Sequence, residues 1–129
     1  MKILLVEDHP GSRKNLQRLI ERRGHEVVGV GSAEEAEALL AADSFPFLIL
    51  DWMLPGKSGV ELCRQLRAQP NGDEMFILLV TARADTADLE QALEAGANDY
   101  LTKPLDLELL NVRISVAERQ IRELGERNQ

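Results

Sequence analysis

Five polar side chains stand at the ends of apolar runs. Glu7 and Asp8 follow "KILLV" (2–6), Asp51 follows "FLIL" (47–50), Thr81 follows "FILLV" (76–80), and Lys103 lies just past "DYLT" (99–102). Three are carboxylates, one is a hydroxyl and one an ammonium. Carboxylates crowded together repel and raise one another's pKa. A divalent cation relieves that repulsion, and a donor set made of oxygen suits Mg²⁺. This chemistry requires the groups to meet, so the elements that carry them decide whether it is available.

The apolar runs, with "EVVGV" (26–30), are mostly continuous rather than alternating, as expected of strands buried on both faces. Helical patterns separate them. Leu16, Leu19 and Ile20 share one face of a first helix that Gly24 can stop. Ser32-Ala-Glu-Glu35 and Ser58-Gly-Val-Glu61 have capping-box spacing before a second and a third helix, the latter carrying Cys63 and Leu66. Leu89, Ala92 and Leu93 mark a fourth helix, ended by Gly96, and a fifth begins near Asp106. Strands alternating with helices imply right-handed crossovers and a parallel sheet covered on both faces. Ligands of such sheets bind beyond the carboxyl ends of the strands, near the reversal of strand order.

With 129 residues, 44% of them hydrophobic and 29% charged, the chain can build one domain with a real core. Its formal net charge of -7 disfavours nucleic acid and anionic membrane as direct partners. One cysteine, Cys63, excludes an internal disulfide and a cysteine-rich metal site, and reads as a small core residue. No apolar run approaches the ~20 residues of a membrane span, and "MKILLVED" turns acidic too early for a secretory signal. The expectation is a soluble cytoplasmic protein. His9, beside Pro10, reads as a solvated loop residue, and "GVGSAE" (29–34) lacks the third glycine of a dinucleotide fingerprint.

Taken in order, "VED" (6–8), "LDWMLPGKSG" (50–59), "VTA" (80–82) and "LTKP" (101–104) resemble a receiver domain, the phospho-accepting module of two-component response regulators. Each piece alone is weak, but the ordered set is specific, and the resemblance covers about residues 1–117. It implies a flavodoxin-like, doubly wound five-stranded parallel sheet of order 2-1-3-4-5, an order for which the chemotaxis member of the family is a standing example. Asp51 then lies centrally, with Glu7 and Asp8 on one side and Thr81 and Lys103 on the other. It also implies Mg²⁺ held by Asp8, Asp51 and the backbone carbonyl of Met53, with Glu7 acting mainly through water. Asp51 becomes the nucleophile and phosphorylation site, fed by a sensor histidine kinase or phosphotransfer protein. Mg²⁺ and Lys103 neutralise the phosphoryl oxygens, Thr81 donates to one of them, and the small Ala82 leaves room. Lys103-Pro104 is expected to be cis. Thr81 and Tyr100 act as the switch, Tyr100 turning inward as Thr81 moves, and this alters the surface of helix four, strand five and helix five. Met53 and Arg83 flank the phosphoryl group and tune its lifetime. Such a domain is not an enzyme beyond its own phosphorylation and dephosphorylation.

Two other functions stay open. A phosphatase-like hydrolase uses the same Asp nucleophile, but usually with a second Asp two residues on, where this chain has Met53. A phosphorylation-independent interaction module usually lacks a key residue, and none is missing here. Past residue 117 the fifth helix continues as an extension, 118–129. Leu107, Leu110, Ile114, Ala117, Ile121 and Leu124 recur at three and four, which reads as a heptad seam. Pairs at i,i+4 are expected for Glu118–Arg122, Arg119–Glu123, Arg122–Glu126 and Glu123–Arg127. A helix from Asp106 to Gln129 extends ~36 Å. The expectation is a signalling helix that forms a homodimer and leads to an output domain beyond this chain.

Overall fold

The computed structural model describes residues 1–83 and 85–127, of which 126 and 127 are described by backbone alone. Strands β1 (Lys2–Val6), β2 (Glu26–Val30), β3 (Phe47–Asp51), β4 (Phe76–Thr81) and β5 (Asp99–Thr102) alternate with helices α1 (Pro10–Glu21), α2 (Ala33–Ala42), α3 (Gly59–Arg67), α4 (Thr86–Glu94) and α5 (Leu107–Arg127). A short 3₁₀ turn at Gly72–Glu74, absent from the sequence reading, precedes β4. All neighbouring strands are parallel, in the order β2-β1-β3-β4-β5. Strand order reverses between β1 and β3, so a crevice opens beyond Val6 and Asp51.

The continuous apolar runs behave as two-sided strands. Every residue of β3 and β4 is buried. Alternate side chains feed two cores. Leu4, Leu48, Leu50, Ile77 and Leu79 pack under α2, α3 and α4. Ile3, Leu5, Ile49, Leu78 and Val80 pack under α1 and α5. Helix starts are fixed by side-chain caps worth roughly 1 kcal/mol each. Ser32 and Ser58 accept from the Glu35 and Glu61 amides as the capping boxes predict, and Asp106 accepts from Glu108 and Leu109. His9 is not merely solvated: its Nδ1 accepts from the Ser12 amide at 3.1 Å and caps α1. Among the described residues no helix is long and apolar enough to cross a membrane.

Two helix faces differ from the sequence reading. In α4 the inward stripe is Asp88 and Ala92, followed by Ala95, while Leu89 and Leu93 are exposed. Small residues let the helix approach the sheet closely, so the leucines point outward. In α5 the six-residue seam is divided. Leu110, Ile114 and Ala117 lie in the core and Ile121 packs against it, whereas Leu107 is half exposed. The stripe covers the chain's own sheet, so Leu110, Ile114 and Ala117 are not free to zip onto a second helix, while Val112 and Val116 on the outer face are exposed. Arg119–Glu123 forms at 3.3 Å. Glu118 does not pair with Arg122 but is held by Arg23 and His25 from the α1–β2 turn. The pairs with Glu126 and Arg127, and the last two residues of the extension, lie outside the described side chains.

Candidate functional site

Register carries the strand-end groups to one edge. Val6 lies beside Leu50, Asp51 beside Val80, and Thr81 beside Thr102. The residues just past these positions therefore converge across four neighbouring strands. Glu7 is held in line by its amide donating to the Val30 carbonyl at 3.0 Å, and Lys103 by its amide donating to the Thr81 carbonyl at 2.7 Å. The Lys103-Pro104 bond is cis, as expected.

After Asp51 the chain must turn sharply into α3. Gly56 adopts a φ of +72°, which side chains disfavour. Gly59 is required for another reason: it lies directly on the Asp51 backbone, and its amide donates to the Trp52 carbonyl at 3.0 Å. The close approach fixes the direction of the Asp51 side chain from behind.

Asp51 is 7% exposed and Glu7 3%, while Asp8 is exposed. One carboxylate oxygen from each of the three lies within 4.8 Å of the others. Lys103 Nζ bridges the two buried acids, donating to Asp51 Oδ2 at 2.6 Å and Glu7 Oε1 at 3.2 Å. The Met53 amide donates to Asp51 Oδ1 at 3.1 Å, although the Met53 side chain is 58% exposed. Burial, aided by the hydrogen bond and charge of Asp51, pushes the Glu7 carboxyl up to about 7 against the pull of Lys103. Burial works against the Lys103 ammonium, but Asp51 and Glu7 outweigh it and hold its pKa above the ordinary lysine value. Glu7 Oε2 is buried with no hydrogen-bond partner among the described residues. A buried carboxylate oxygen without a partner beside two further carboxylates is a donor set that fits a hard divalent cation.

Thr81 and Tyr100, the candidate switch residues, sit on β4 and β5. Thr81 is fully buried, and its Oγ1 accepts from the Arg83 amide at 3.3 Å. Ala82 is exposed. Tyr100 is half-buried and its hydroxyl donates to the Arg83 carbonyl. The Arg83 guanidinium stacks 4.4 Å from the Trp52 ring and pairs with Asp88 Oδ1 at 2.9 Å. The sequence reading placed Arg83 near the site but missed Trp52 and Asp88 as its partners. Trp52 lies on another strand end and Asp88 on the next helix, so no spacing pattern announces either. Of the candidate residues, Glu7, Asp8, Asp51, Lys103 and the Met53 amide form one cluster, and Thr81, Arg83 and Tyr100 form a second beside it on the β4–β5 side.

Beside Lys103 a groove of about 590 Å³ runs between α1 and the β5–α5 turn, lined by Glu7, Leu16, Leu19, Arg18, Arg22 and Leu105, among others.

A doubly wound five-stranded sheet with an acidic pocket and a lysine at its switch point defines a class of signalling domain. The chain belongs to the response regulator receiver domain family, whose pattern matches residues 3–115. It is 39% identical over 119 residues to the phosphate regulon transcriptional regulatory protein PhoB of Rhizobium meliloti, covering 92% of this chain and 52% of that protein. It thus spans about half the length of the curated relatives it matches. Among solved structures, the BeF3-activated N-terminal receiver domain of Klebsiella pneumoniae RstA superposes with a TM-score of 0.83 at 32% identity, covering 91% of this chain and 97% of that one. The receiver domain of a sensor histidine kinase from Pseudomonas aeruginosa, which carries a magnesium ion coordinated in its active-site cleft, gives 0.81 at 32% identity, covering 90% and 95%.

Proposed function

We propose that the chain accepts a phosphoryl group on Asp51 from a histidine kinase or phosphotransfer protein, and that this contact repopulates the surface formed by α4, β5 and α5. The observation that carries the reading is Asp51 itself: nearly buried, gripped by Lys103 and the Met53 amide, and within 4.8 Å of carboxylate oxygens of Glu7 and Asp8. An Asp51 carboxylate oxygen attacks the phosphorus of the donor. The new O–P bond forms as the P–N bond of a phosphohistidine breaks, and the departing imidazole keeps the electron pair and takes a proton. Lys103 follows the phosphoryl oxygens and balances their charge, and the Thr81 hydroxyl turns to donate to one of them. Asp8, Asp51 and the Met53 carbonyl, with Glu7 through water, would hold Mg²⁺, which when bound neutralises charge on the transferring group. Met53 and Arg83 bracket the site and set how easily water reaches the acyl phosphate.

The groove beside Lys103 supports the choice of partner. Leu16 and Leu19 offer an apolar floor and Arg18 and Arg22 a basic rim, on a chain whose net charge is -7. A helix presenting phosphohistidine over an acidic and apolar face fits there. The same reading treats residues 1–117 as the receiver and 118–129 as the start of a linker, because α5 runs on unbroken to Arg127. An output module on the far side of that linker is consistent with the length of the relatives. A homodimer through the linker would rest on Ile121 and Leu124, since Leu110, Ile114 and Ala117 are in the core and Leu107, half exposed, lies at the far end of α5.

The test is incubation with acetyl phosphate and Mg²⁺, followed by intact mass. One phosphoryl adduct, lost in Asp51→Ala, is expected. Multiple turnover with no adduct would indicate a hydrolase, and no adduct with no turnover an interaction module; either result overturns the reading.

A further inference from the structure

The two glycines of "GVGSAE" lack the third of a dinucleotide fingerprint, yet the structure gives both a use. Side chains alternate along β2: Val27 packs under α1, so Gly29 faces the same side. A Cβ at Gly29 would lie 3.2 Å from both Cγ and Cδ of Arg13, and one at Gly31 would lie 3.1 Å from its Nη1. Neither glycine has a positive φ, so space rather than backbone conformation calls for them. The Arg13 side chain lies lengthwise in the trough that the missing side chains leave. Gln17, one turn further along α1, lies beside it and donates to the Val27 carbonyl at 3.2 Å. At the end of the trough Arg13 Nη1 donates to the Glu7 carbonyl at 2.8 Å.

That carbonyl has lost its partner in the sheet. Val6 is the last residue of β1 in register with β2, and the Glu7 amide continues the ladder by one bond, to the Val30 carbonyl at 3.0 Å. The next bond of a parallel ladder would run from the amide of Ser32 to the Glu7 carbonyl. The chain has turned away by then: the Gly31 amide donates to Glu35 Oε2 at 2.7 Å, and Ser32 caps α2. Arg13 takes the place of the strand. The peptide it grips joins Glu7 to Asp8 and is planar, so its orientation sets where the Asp8 backbone starts and how the two carboxylates are presented. We infer that Arg13 is a positioning residue for the acidic pocket: its guanidinium, laid across Gly29 and Gly31, stands in for the missing β2 partner and holds the Glu7–Asp8 peptide in the orientation that a cation at Glu7, Asp8 and Asp51 requires. It acts through the backbone, since its bond is to a carbonyl and not to a carboxylate. This inference deepens the proposed function and rests on its cation site, but not on phosphoryl transfer.

The experiment compares the parent chain with Arg13→Ala, Gly31→Val and the double variant by NMR. Arg13→Ala removes the guanidinium. Gly31→Val keeps it, with its charge, but fills the end of the trough. Without Mg²⁺ the Asp8 amide signal should move in both single variants, because its own peptide loses a hydrogen bond at the carbonyl. In a Mg²⁺ titration followed by the Met53 amide, the midpoint should rise roughly tenfold in Arg13→Ala and roughly threefold or more in Gly31→Val. The double variant should bind no more weakly than Arg13→Ala, since Gly31 acts through Arg13. Labelling by acetyl phosphate should slow at Mg²⁺ concentrations near the parent's midpoint and recover most of its rate at saturation. A midpoint in Arg13→Ala within about twofold of the parent's, whatever its Tm, leaves Arg13 a merely structural role and overturns the inference. So does a Gly31→Val effect that is as large in the Arg13→Ala background as in the parent. If the parent binds Mg²⁺ but no chain labels, the proposed phosphorylation fails, while the midpoints still decide the role of Arg13. A parent whose signals ignore Mg²⁺ overturns both.

Discussion

Replacing Gly59 by alanine tests the geometry that aims Asp51. A Cβ at Gly59 would lie 2.1 Å from the Asp51 carbonyl oxygen, 3.0 Å from its carbonyl carbon and 3.1 Å from the Trp52 Cα. Ordinary contacts between such atoms are ~3.5 Å, and all three neighbours are backbone, so no side chain can rotate away. Either α3 lifts from the sheet or the β3–α3 turn shifts. Either move weakens the bond from the Gly59 amide to the Trp52 carbonyl, now 3.0 Å. Overpacking costs about 1–3 kcal/mol and the bond about 1. Alanine returns roughly 0.4–1 through the unfolded chain, leaving a net loss of about 1–3.6 kcal/mol. At ~2.1 cal/mol/K of unfolding entropy per residue, that lowers Tm by about 4–13 °C. Displacing the nucleophile slows labelling as well, since a shift of ~1 Å can cost a hundredfold. Thermal unfolding followed by circular dichroism, with labelling in parallel, reads both. Gly125→Ala is the control: nothing lies within 4 Å of its added Cβ, so helix propensity alone should raise Tm by a few degrees. A Gly59→Ala chain that melts within about 2 °C of the parent and labels as fast would refute the contact and the positioning drawn from it.

Three further outcomes are expected. The folded Glu7 carboxyl, raised to about 7 by burial and Asp51, holds its proton more tightly than the unfolded chain. Its contribution to stability is therefore full below about pH 4.5 and is lost as pH rises through 7. Mg²⁺ should raise Tm more at pH 8 than at pH 5.5; equal shifts at both, or the same pH dependence in Glu7→Gln, would contradict this. Lys103→Ala strips the bridge from two buried acids and should lower stability by about 1–3 kcal/mol without Mg²⁺ and less with it, while slowing labelling at least tenfold; denaturant melts at two Mg²⁺ concentrations measure the first effect. Met53→Asn places a group able to orient water where an exposed thioether now stands, and should shorten the acyl-phosphate half-life; a half-life no shorter than the parent's counts against the assigned role.

The site was legible because its grammar is local. Continuous apolar runs ending in a carboxylate, a hydroxyl or a lysine identify buried parallel strands and the edge they share, and this needs no tertiary knowledge. What the sequence hid was which side of a helix faces in. In α4 the leucines carry the apolar signal, yet Asp88 and Ala92 are buried and Leu89 and Leu93 are not, because close helix–sheet packing selects for small volume. In α5 a spacing of three and four describes a core stripe as well as a coiled-coil seam, and only the sheet beneath Leu110, Ile114 and Ala117 decides between them. Glu118 turned to Arg23 and His25 because those side chains reach it from a distant turn, which an i,i+4 count cannot include. The stacking of Arg83 on Trp52 was invisible for the same reason.

The unsatisfied Glu7 Oε2 connects the stability of the fold to its chemistry. A fold selected for stability alone would place an amide or an apolar residue there, since an unpaired buried carboxylate oxygen costs on the order of 1–3 kcal/mol. Lys103 offsets part of that cost, but one ammonium is shared between Asp51 and Glu7, so once Glu7 loses its proton, above about pH 7, the pocket is net negative even before Asp8 is counted. Whatever supplies the missing positive charge stabilises the folded chain by mass action, about 2.7 kcal/mol at a hundredfold excess over its Kd. A phosphoryl group adds negative charge to the same pocket and draws Lys103 toward itself. Uncharged donors at hand are the Met53 amide, already on Asp51 Oδ1, and the Thr81 hydroxyl, whose oxygen accepts from the Arg83 amide while its proton is free to donate. Charge at the β3 end and hydrogen-bond donors at the β3 and β4 ends therefore act on the same phosphoryl oxygens, so a change in one is felt by the other.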